Sequence, residues 1–181
     1  QAIALKPDYA EAHYNLGNTF QELGRLNEAE TSYSQAIALK ADYAEAHNNL
    51  GNALKELGKL DEAEASYNQA IALEPDFAAA HSNLGNTLKE LGRLDEAEVS
   101  YNQAITLKPD FALAHYGLSK IFYIMGNEDL ALKSIMQANA IESKSKEYKL
   151  MLSFIEARKS HKENKAAVGD TINPGALTGL I

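Results

Sequence analysis

Apolar residues recur along the chain at the spacing of paired amphipathic helices. Leu50, Leu54 and Leu57 follow the i, i+4, i+7 pattern of one apolar face. A second set with helical spacing follows Gly58 and comprises Ala63, Tyr67, Ala70 and Ile71. Gly58 predicts the left-handed residue that ends the first helix, and Pro75 prevents continuation of the second. The pattern therefore predicts a helix, a short turn and a second helix.

This pattern returns at a fixed period. The histidines that mark it are 34 residues apart: His13, His47, His81 and His115. Each lies in a copy of the same stretch, which reads A-E-A-H-N-N-L-G in the second copy and A-L-A-H-Y-G-L-S in the more divergent fourth copy. Such a period is typical of repeat proteins, in which each unit packs on its neighbours. The predicted units are 10–43, 44–77, 78–111 and 112–145.

The ends depart from the period. Residues 1–9 correspond to the end of a truncated upstream repeat, so we expect the chain to be a piece of something longer. Residues 146–163 have helical spacing again and predict a capping helix over the fourth unit. Residues 164–181 contain Gly and Pro without helical spacing and predict an extended tail or linker.

Short-range signals refine the units. Glycine within a helix costs roughly 1 kcal/mol relative to Ala, so its return at Gly17, Gly51 and Gly85 predicts helix contacts too close for a Cβ. In the second unit, the spacing of Asp42 and Glu45 predicts a capping box at the start of the first helix. A similar box is predicted at Asp61–Glu64.

The residues of the second unit resemble the tetratricopeptide repeat, in the order His47-x2-Leu50-Gly51-x2-Leu54, Ala63-x3-Tyr67 and Pro75. The resemblance covers roughly residues 1–142. It implies an all-α, right-handed superhelix (an α-solenoid), with the first helix of each pair on the concave side. His replaces the usual aromatic residue, Ala41 replaces Pro and Ile135 replaces Tyr in the fourth unit.

The resemblance also implies which residues line the concave groove. The candidate peptide-binding residues are Tyr14, Asn15, Asn18, Asn48, Asn49, Asn52, Lys55, Asn83, Asn86, Lys89, Tyr116, Lys120 and Tyr123. Asn carries a donor and an acceptor, so a ladder of Asn can pair with the backbone of an extended peptide. The alternative is that these Asn side chains bridge adjacent repeats. Both interpretations stay open at this stage.

One row of this ladder, Asn15, Asn49 and Asn83, looks like the superhelical arm of O-linked N-acetylglucosamine transferases. That arm holds substrate peptides, whereas the catalytic domain of those enzymes is not in this chain. Family members that grip acidic chaperone tails use Lys or Arg where this chain has Glu11 and Glu45, so binding of such tails is not favoured. In the fourth unit the groove residues become aromatic and apolar.

Composition limits the other possibilities. The net charge of −8 disfavours nucleic-acid and membrane partners. The absence of cysteine fits a cytoplasmic protein without disulfides. No catalytic motif is present, so we predict no enzyme activity, no cofactor and no metal. The histidine column could suggest a metal, but packing in place of the family's aromatic residue is the favoured interpretation.

The sequence therefore predicts a non-catalytic scaffold for protein–protein interaction that binds an extended peptide in its groove. One alternative is the substrate-recruitment arm of a larger enzyme, glycosyltransferase-like or other. Another is self-assembly into a homo-oligomer through the open N-terminal half-repeat or the C-terminal tail.

Overall fold

The chain folds into helices joined by short turns. A computed structural model describes residues 9–171, with side chains up to residue 164. The nine helices of this part are α1 Ala10–Glu22, α2 Leu26–Leu39, α3 Ala44–Glu56, α4 Leu60–Leu73, α5 Ala78–Glu90, α6 Leu94–Leu107, α7 Ala112–Ile124, α8 Glu128–Ile141 and α9 Lys146–Thr171. None of these helices is both long enough and apolar enough to span a membrane. The truncated repeat predicted for residues 1–9 lies outside this description except for Tyr9, and so do residues 172–181 of the predicted tail.

The helices form a linear array rather than a bundle around one centre. The closest packing is within the pairs α1–α2, α3–α4, α5–α6 and α7–α8, and each pair packs on the next. The first helices also touch along the array, α1 with α3, α3 with α5 and α5 with α7. This arrangement confirms the predicted all-α helical-repeat superhelix.

The first helix of each pair ends at a glycine, as predicted. Gly58 has a φ of +77°, which costs glycine nothing because it has no Cβ. Its N–H donates to the carbonyl of Lys55, and the N–H of Lys59 donates to the carbonyl of Leu54. These two bonds form a Schellman motif, which satisfies carbonyls at the end of α3. Gly24, Gly92 and Gly126 have the same positive φ at the corresponding positions.

The predicted capping boxes are wrong. α3 begins one residue later than the box requires, with Tyr43 at its N-cap and no side-chain cap. The ring of Tyr43 packs on Tyr14 of the same unit, at 4.9 Å between centroids. α4 begins at Leu60, earlier than its box requires, so Asp61 and Glu62 lie within its first turn. There their carboxylates interact favourably with the positive end of the helix dipole, but they do not cap the helix.

The close helix contacts predicted at Gly17, Gly51 and Gly85 are present. A Cβ on Gly51 would lie 2.6 Å from Cε1 of Tyr67, and Tyr67 is fully buried. The same pairing joins Gly17 with Tyr33 and Gly85 with Tyr101. The absence of a Cβ thus lets each helix pair close around a buried tyrosine ring.

Helix α9 is longer than predicted, since it continues to Thr171 instead of ending at residue 163. The predicted extended tail is therefore helical over residues 164–171. Ser160 stands 34 residues after Gly126, where a glycine would end the helix. The side chains of α9 also hold it on α8, because Lys159 lies 2.6 Å from Asp129 and Arg158 lies 3.1 Å from Glu128.

Candidate peptide groove

The candidate residues lie on α1, α3, α5 and α7, the first helices of the four pairs. Between α1 and α3 the structure brings several of them around an open cavity of about 440 Å³. Its lining consists of Asn18, Gln21, Glu22, Tyr33, Asn49 and Asn52. Three predicted groove residues therefore meet at one cavity, and Gln21 and Glu22 extend it with further polar groups.

Three of the asparagines are held by the buried tyrosines, and we call them the anchored asparagines: Asn18, Asn52 and Asn86. The hydroxyl of Tyr67 donates to Oδ1 of Asn52 at 2.8 Å. Tyr33 and Tyr101 make the same bond to Asn18 and Asn86 at 2.8 and 2.9 Å. Each bond fixes the planar amide so that its NH2 group points away from the tyrosine.

These tyrosines are protonated at neutral pH and can donate, and burial shifts their titration to still higher pH. Desolvation raises the pKa of Tyr33 to about 12, and it also raises the pKa of Tyr67 and Tyr101. Among the described residues, the Nδ2 atoms of Asn52 and Asn86 donate to no protein acceptor. The tyrosines thus present these two amides as N–H donors on the first-helix face.

Another set of asparagines links neighbouring units, and we call them the bridging asparagines: Asn48, Asn49 and Asn83. Nδ2 of Asn49 donates to Oδ1 of Asn18 at 3.0 Å and to the hydroxyl of Tyr14 at 3.1 Å. Nδ2 of Asn83 donates to Oδ1 of Asn48 at 3.0 Å, and Asn48 donates to Asn49. A continuous chain of amide hydrogen bonds therefore joins α1, α3 and α5.

The asparagines thus differ in their hydrogen bonds: some bridge neighbouring units, and others accept from a tyrosine. Asn48 is only 6% exposed and its amide is used in the bridges, so it presents little surface to a ligand in this structure. Asn49 and Asn83 are half-buried and bridge units. Asn15 is exposed and stands outside the bridging chain.

The candidates of the fourth unit are covered by α9. The ring of Tyr116 packs on Tyr148, with centroids 4.9 Å apart, and its hydroxyl donates to Glu147. Nζ of Lys120 lies 4.0 Å from the centre of the Tyr116 ring. Tyr123 is held in the same way between Phe154 and Arg158. These aromatic residues fasten the capping helix and close this end of the array.

The asparagine ladder stops at Gly117, which occupies the position of Asn49 and Asn83 in the fourth unit. A Cβ on Gly117 would lie 2.3 Å from Cε1 of Tyr101. Tyr101 is therefore enclosed by Gly85 of its own unit and Gly117 of the next. Sequence reasoning missed this contact, although the glycine in place of an asparagine was visible.

The histidine column bonds to the backbone between units. Nε2 of His47, His81 and His115 lies 3.1, 3.0 and 3.0 Å from the carbonyl oxygens of Ala41, Pro75 and Pro109. A carbonyl only accepts, so Nε2 carries the proton and donates. Within residues 9–164, no group of three or more His, Asp or Glu side chains could hold a metal ion. His47, His81 and His115 thus link α3, α5 and α7 to the preceding unit.

Replacing His81 by Leu is expected to lower the free energy of unfolding by about 1 kcal/mol, because one inter-unit hydrogen bond is lost. Urea denaturation followed by circular dichroism measures the change. The matched control is His161→Leu, which alters an exposed histidine on α9 and should leave stability unchanged. Equal stability of the two variants would contradict a stabilising role for the histidine link.

A linear array of helix pairs with a polar first-helix face defines a helical-repeat protein. A family model described as "TPR repeat" matches residues 1–24, 18–58, 51–92 and 85–126. The chain belongs to the tetratricopeptide repeat family, as the sequence predicted.

Solved structures show the same architecture. MamA is 29% identical with a TM-score of 0.73, and the match covers 79% of this chain and 84% of MamA. A thermophilic TPR protein of Thermus thermophilus is 24% identical with a TM-score of 0.74, over 86% of each chain. The first TPR domain of Spaghetti, bound to the HSP90 peptide SRMEEVD, is 26% identical with a TM-score of 0.64, over 65% of this chain and 94% of that domain. No match was found among curated proteins.

Proposed function

We propose that the chain is a non-catalytic protein-interaction scaffold that binds an extended peptide along α1, α3 and α5. The observation that carries this proposal is the row of anchored asparagines, whose amide N–H groups are oriented by buried tyrosines. Packed helices lie roughly 8–10 Å apart, and an extended peptide advances about 3.4 Å per residue. Successive anchored asparagines can therefore meet backbone carbonyls about every third residue of a peptide.

Membership of the TPR family and the peptide-bound Spaghetti domain support a peptide as the class of ligand. They do not make the HSP90 peptide the ligand here, because Glu11 and Glu45 stand where cations would grip its acidic end. A cytoplasmic location and the lack of nucleic-acid partners stay predictions from composition.

The test removes the donors while keeping the acceptors. In Asn52→Asp/Asn86→Asp, Oδ1 still accepts from Tyr67 and Tyr101, but the amide NH2 groups are gone. Two lost hydrogen bonds of about 1 kcal/mol each predict roughly thirtyfold weaker binding. The probe is an amidated 12-residue peptide selected from a random phage-displayed library, and fluorescence anisotropy measures its affinity.

The matched control is Asn68→Asp/Asn102→Asp, which adds the same charge at exposed positions of α4 and α6. We expect it to bind like the native chain. Equal weakening in both double variants would show that charge, and not the lost donors, matters. If no peptide is selected at all, the proposed function is wrong. Replacing Asn49 and Asn83 by Ala is a poorer test, because it also removes bridges between units.

A further inference from the structure

Lys55 on α3 and Lys89 on α5 lie on the proposed peptide face, and Lys120 lies on the next first helix, α7. Lys89 is half-buried, and among the described residues no carboxylate oxygen lies within 4.0 Å of its Nζ. Lys55 is likewise half-buried without an ion pair in this part of the chain. Only Lys120 has a carboxylate near it, with Glu147 at 3.8 Å.

The lysines are close enough to repel one another. Burial is the largest cause that lowers the pKa of Lys89, and the ammonium group of Lys120 lowers it further; Glu90 opposes this change, and Lys55 adds the smallest lowering. A chain of net charge −8 has many carboxylates that could have neutralised these lysines. Instead, the half-buried ammonium group of Lys89 remains without a counter-charge, which is an arrangement that often marks a binding site.

The nearest carboxylates do not fill this role. Glu90 raises the pKa of Lys89 but is exposed and makes no ion pair with it among the described residues, and Glu56 is exposed and accepts a hydrogen bond from Gln21. By contrast, Asn86 precedes Lys89 by three residues and so lies on the same face of α5. An amide donor and an ammonium group are therefore adjacent, which suits a backbone carbonyl and a neighbouring side-chain carboxylate of one peptide.

We propose that Lys89, flanked by Lys55 and Lys120, binds an Asp or Glu side chain within the extended peptide, so that the partner segment is acidic at its middle. This inference rests on the proposed function. It differs from recognition of a peptide's C-terminal carboxylate, because the lysines lie midway along the array and the anchored asparagines continue on the α3 side.

The experiment selects 12-residue peptides from a random phage-displayed library on the full chain and on Lys89→Met. We expect Asp and Glu to be enriched on the native chain and not on Lys89→Met. For one enriched peptide made with an amidated C-terminus, changing its Glu to Gln should weaken binding to the native chain roughly tenfold, as expected for a charged hydrogen bond. The same change should have less than a twofold effect on Lys89→Met, measured by fluorescence anisotropy.

The matched control is Lys133→Met, which removes the same charge from an exposed position on α8 and should keep the acidic preference. Thermal unfolding of Lys89→Met should not fall below that of the native chain, because an unpaired buried charge is removed. If it does fall, Lys55→Met serves as the second variant and should reduce the acidic enrichment. Enriched peptides without acidic preference, or equal behaviour of Lys89→Met and Lys133→Met, would overturn this inference alone. A complete lack of selected peptides would overturn the proposed function as well.

Discussion

The Gly51→Ala variant is expected to lose about 3 kcal/mol of unfolding free energy. Its new Cβ would lie 2.6 Å from Cε1 and 2.8 Å from Cζ of Tyr67, well inside van der Waals contact. Tyr67 is fully buried and its hydroxyl is held by Asn52, so the ring cannot turn aside. The helices α3 and α4 must then separate; overpacking costs typically 1–3 kcal/mol and occasionally more, and the three contacts below 3 Å place this site at the upper end, which exceeds the roughly 1 kcal/mol that Ala gains within a helix. Urea denaturation monitored by circular dichroism measures the loss.

The fourth unit supplies the compensating change. Ser119 and Ile135 occupy the positions that Gly51 and Tyr67 hold in the second unit, and both are fully buried. In a double-mutant cycle, Gly51→Ser with Tyr67→Ile should therefore be more stable than the sum of the single changes by about 1 kcal/mol or more. Additive effects would show that the glycine and the tyrosine ring do not constrain each other.

Gly58→Ala is the comparison for backbone strain alone. No heavy atom would lie within 4 Å of its Cβ, so any loss comes from the φ of +77°. This strain is worth roughly 1–2 kcal/mol. A Gly51→Ala variant no less stable than Gly58→Ala would contradict a steric origin for the larger loss.

The features that could be predicted from sequence are those that local chemistry decides and repetition confirms. The helix pairs follow from apolar spacing, the turns from glycines such as Gly58, and the close contacts from glycines within helices such as Gly51. Each signal returns after 34 residues, so the pattern in one unit supports the structure predicted for the next. The capping boxes failed because the helices begin in another register: α3 begins after Tyr43 and α4 begins before Asp61, and neither has a side-chain cap.

The roles of the asparagines could not be predicted because they depend on distances between units. An amide can donate and accept, so spacing alone leaves peptide binding and bridging equally open. The geometry shows which amides bridge units: Asn49 donates to Tyr14 and Asn18 of the preceding unit, whereas Oδ1 of Asn52 accepts from the hydroxyl of Tyr67, and peptide binding stays a proposal. The same limit applies to Gly117: a side chain there would clash with the ring of Tyr101 on the neighbouring unit.

The length of α9 shows a different limit. A helix was predicted only as far as apolar spacing continued, to residue 163. Near that point the helix is held on α8 by ion pairs of Arg158 and Lys162 with Glu128 and of Lys159 with Asp129. A helix segment held by charged contacts has no periodic spacing of apolar residues, so its length cannot be predicted from that spacing.

The Ile155→Ala variant is expected to release α9 from the end of the array. Ile155 is fully buried, and truncating such a side chain costs about 2–5 kcal/mol. Each unit of a repeat protein contacts only its neighbours, so the loss should stay local. Hydrogen exchange of the native protein, read by mass spectrometry, should show faster exchange in α9 and in the adjoining α7 and α8. Exchange in α1–α4 should be unchanged.

The control on the same helix is Leu150→Ala, since Leu150 is 73% exposed and its truncation should leave exchange as it is. Release of α9 also uncovers Tyr116 and Tyr123, so the aromatic end of the groove should become accessible in Ile155→Ala alone. Faster exchange spread evenly from α1 to α9 would contradict this account, because it would mean that the array opens as one cooperative unit and that α9 stabilises every repeat rather than the last one.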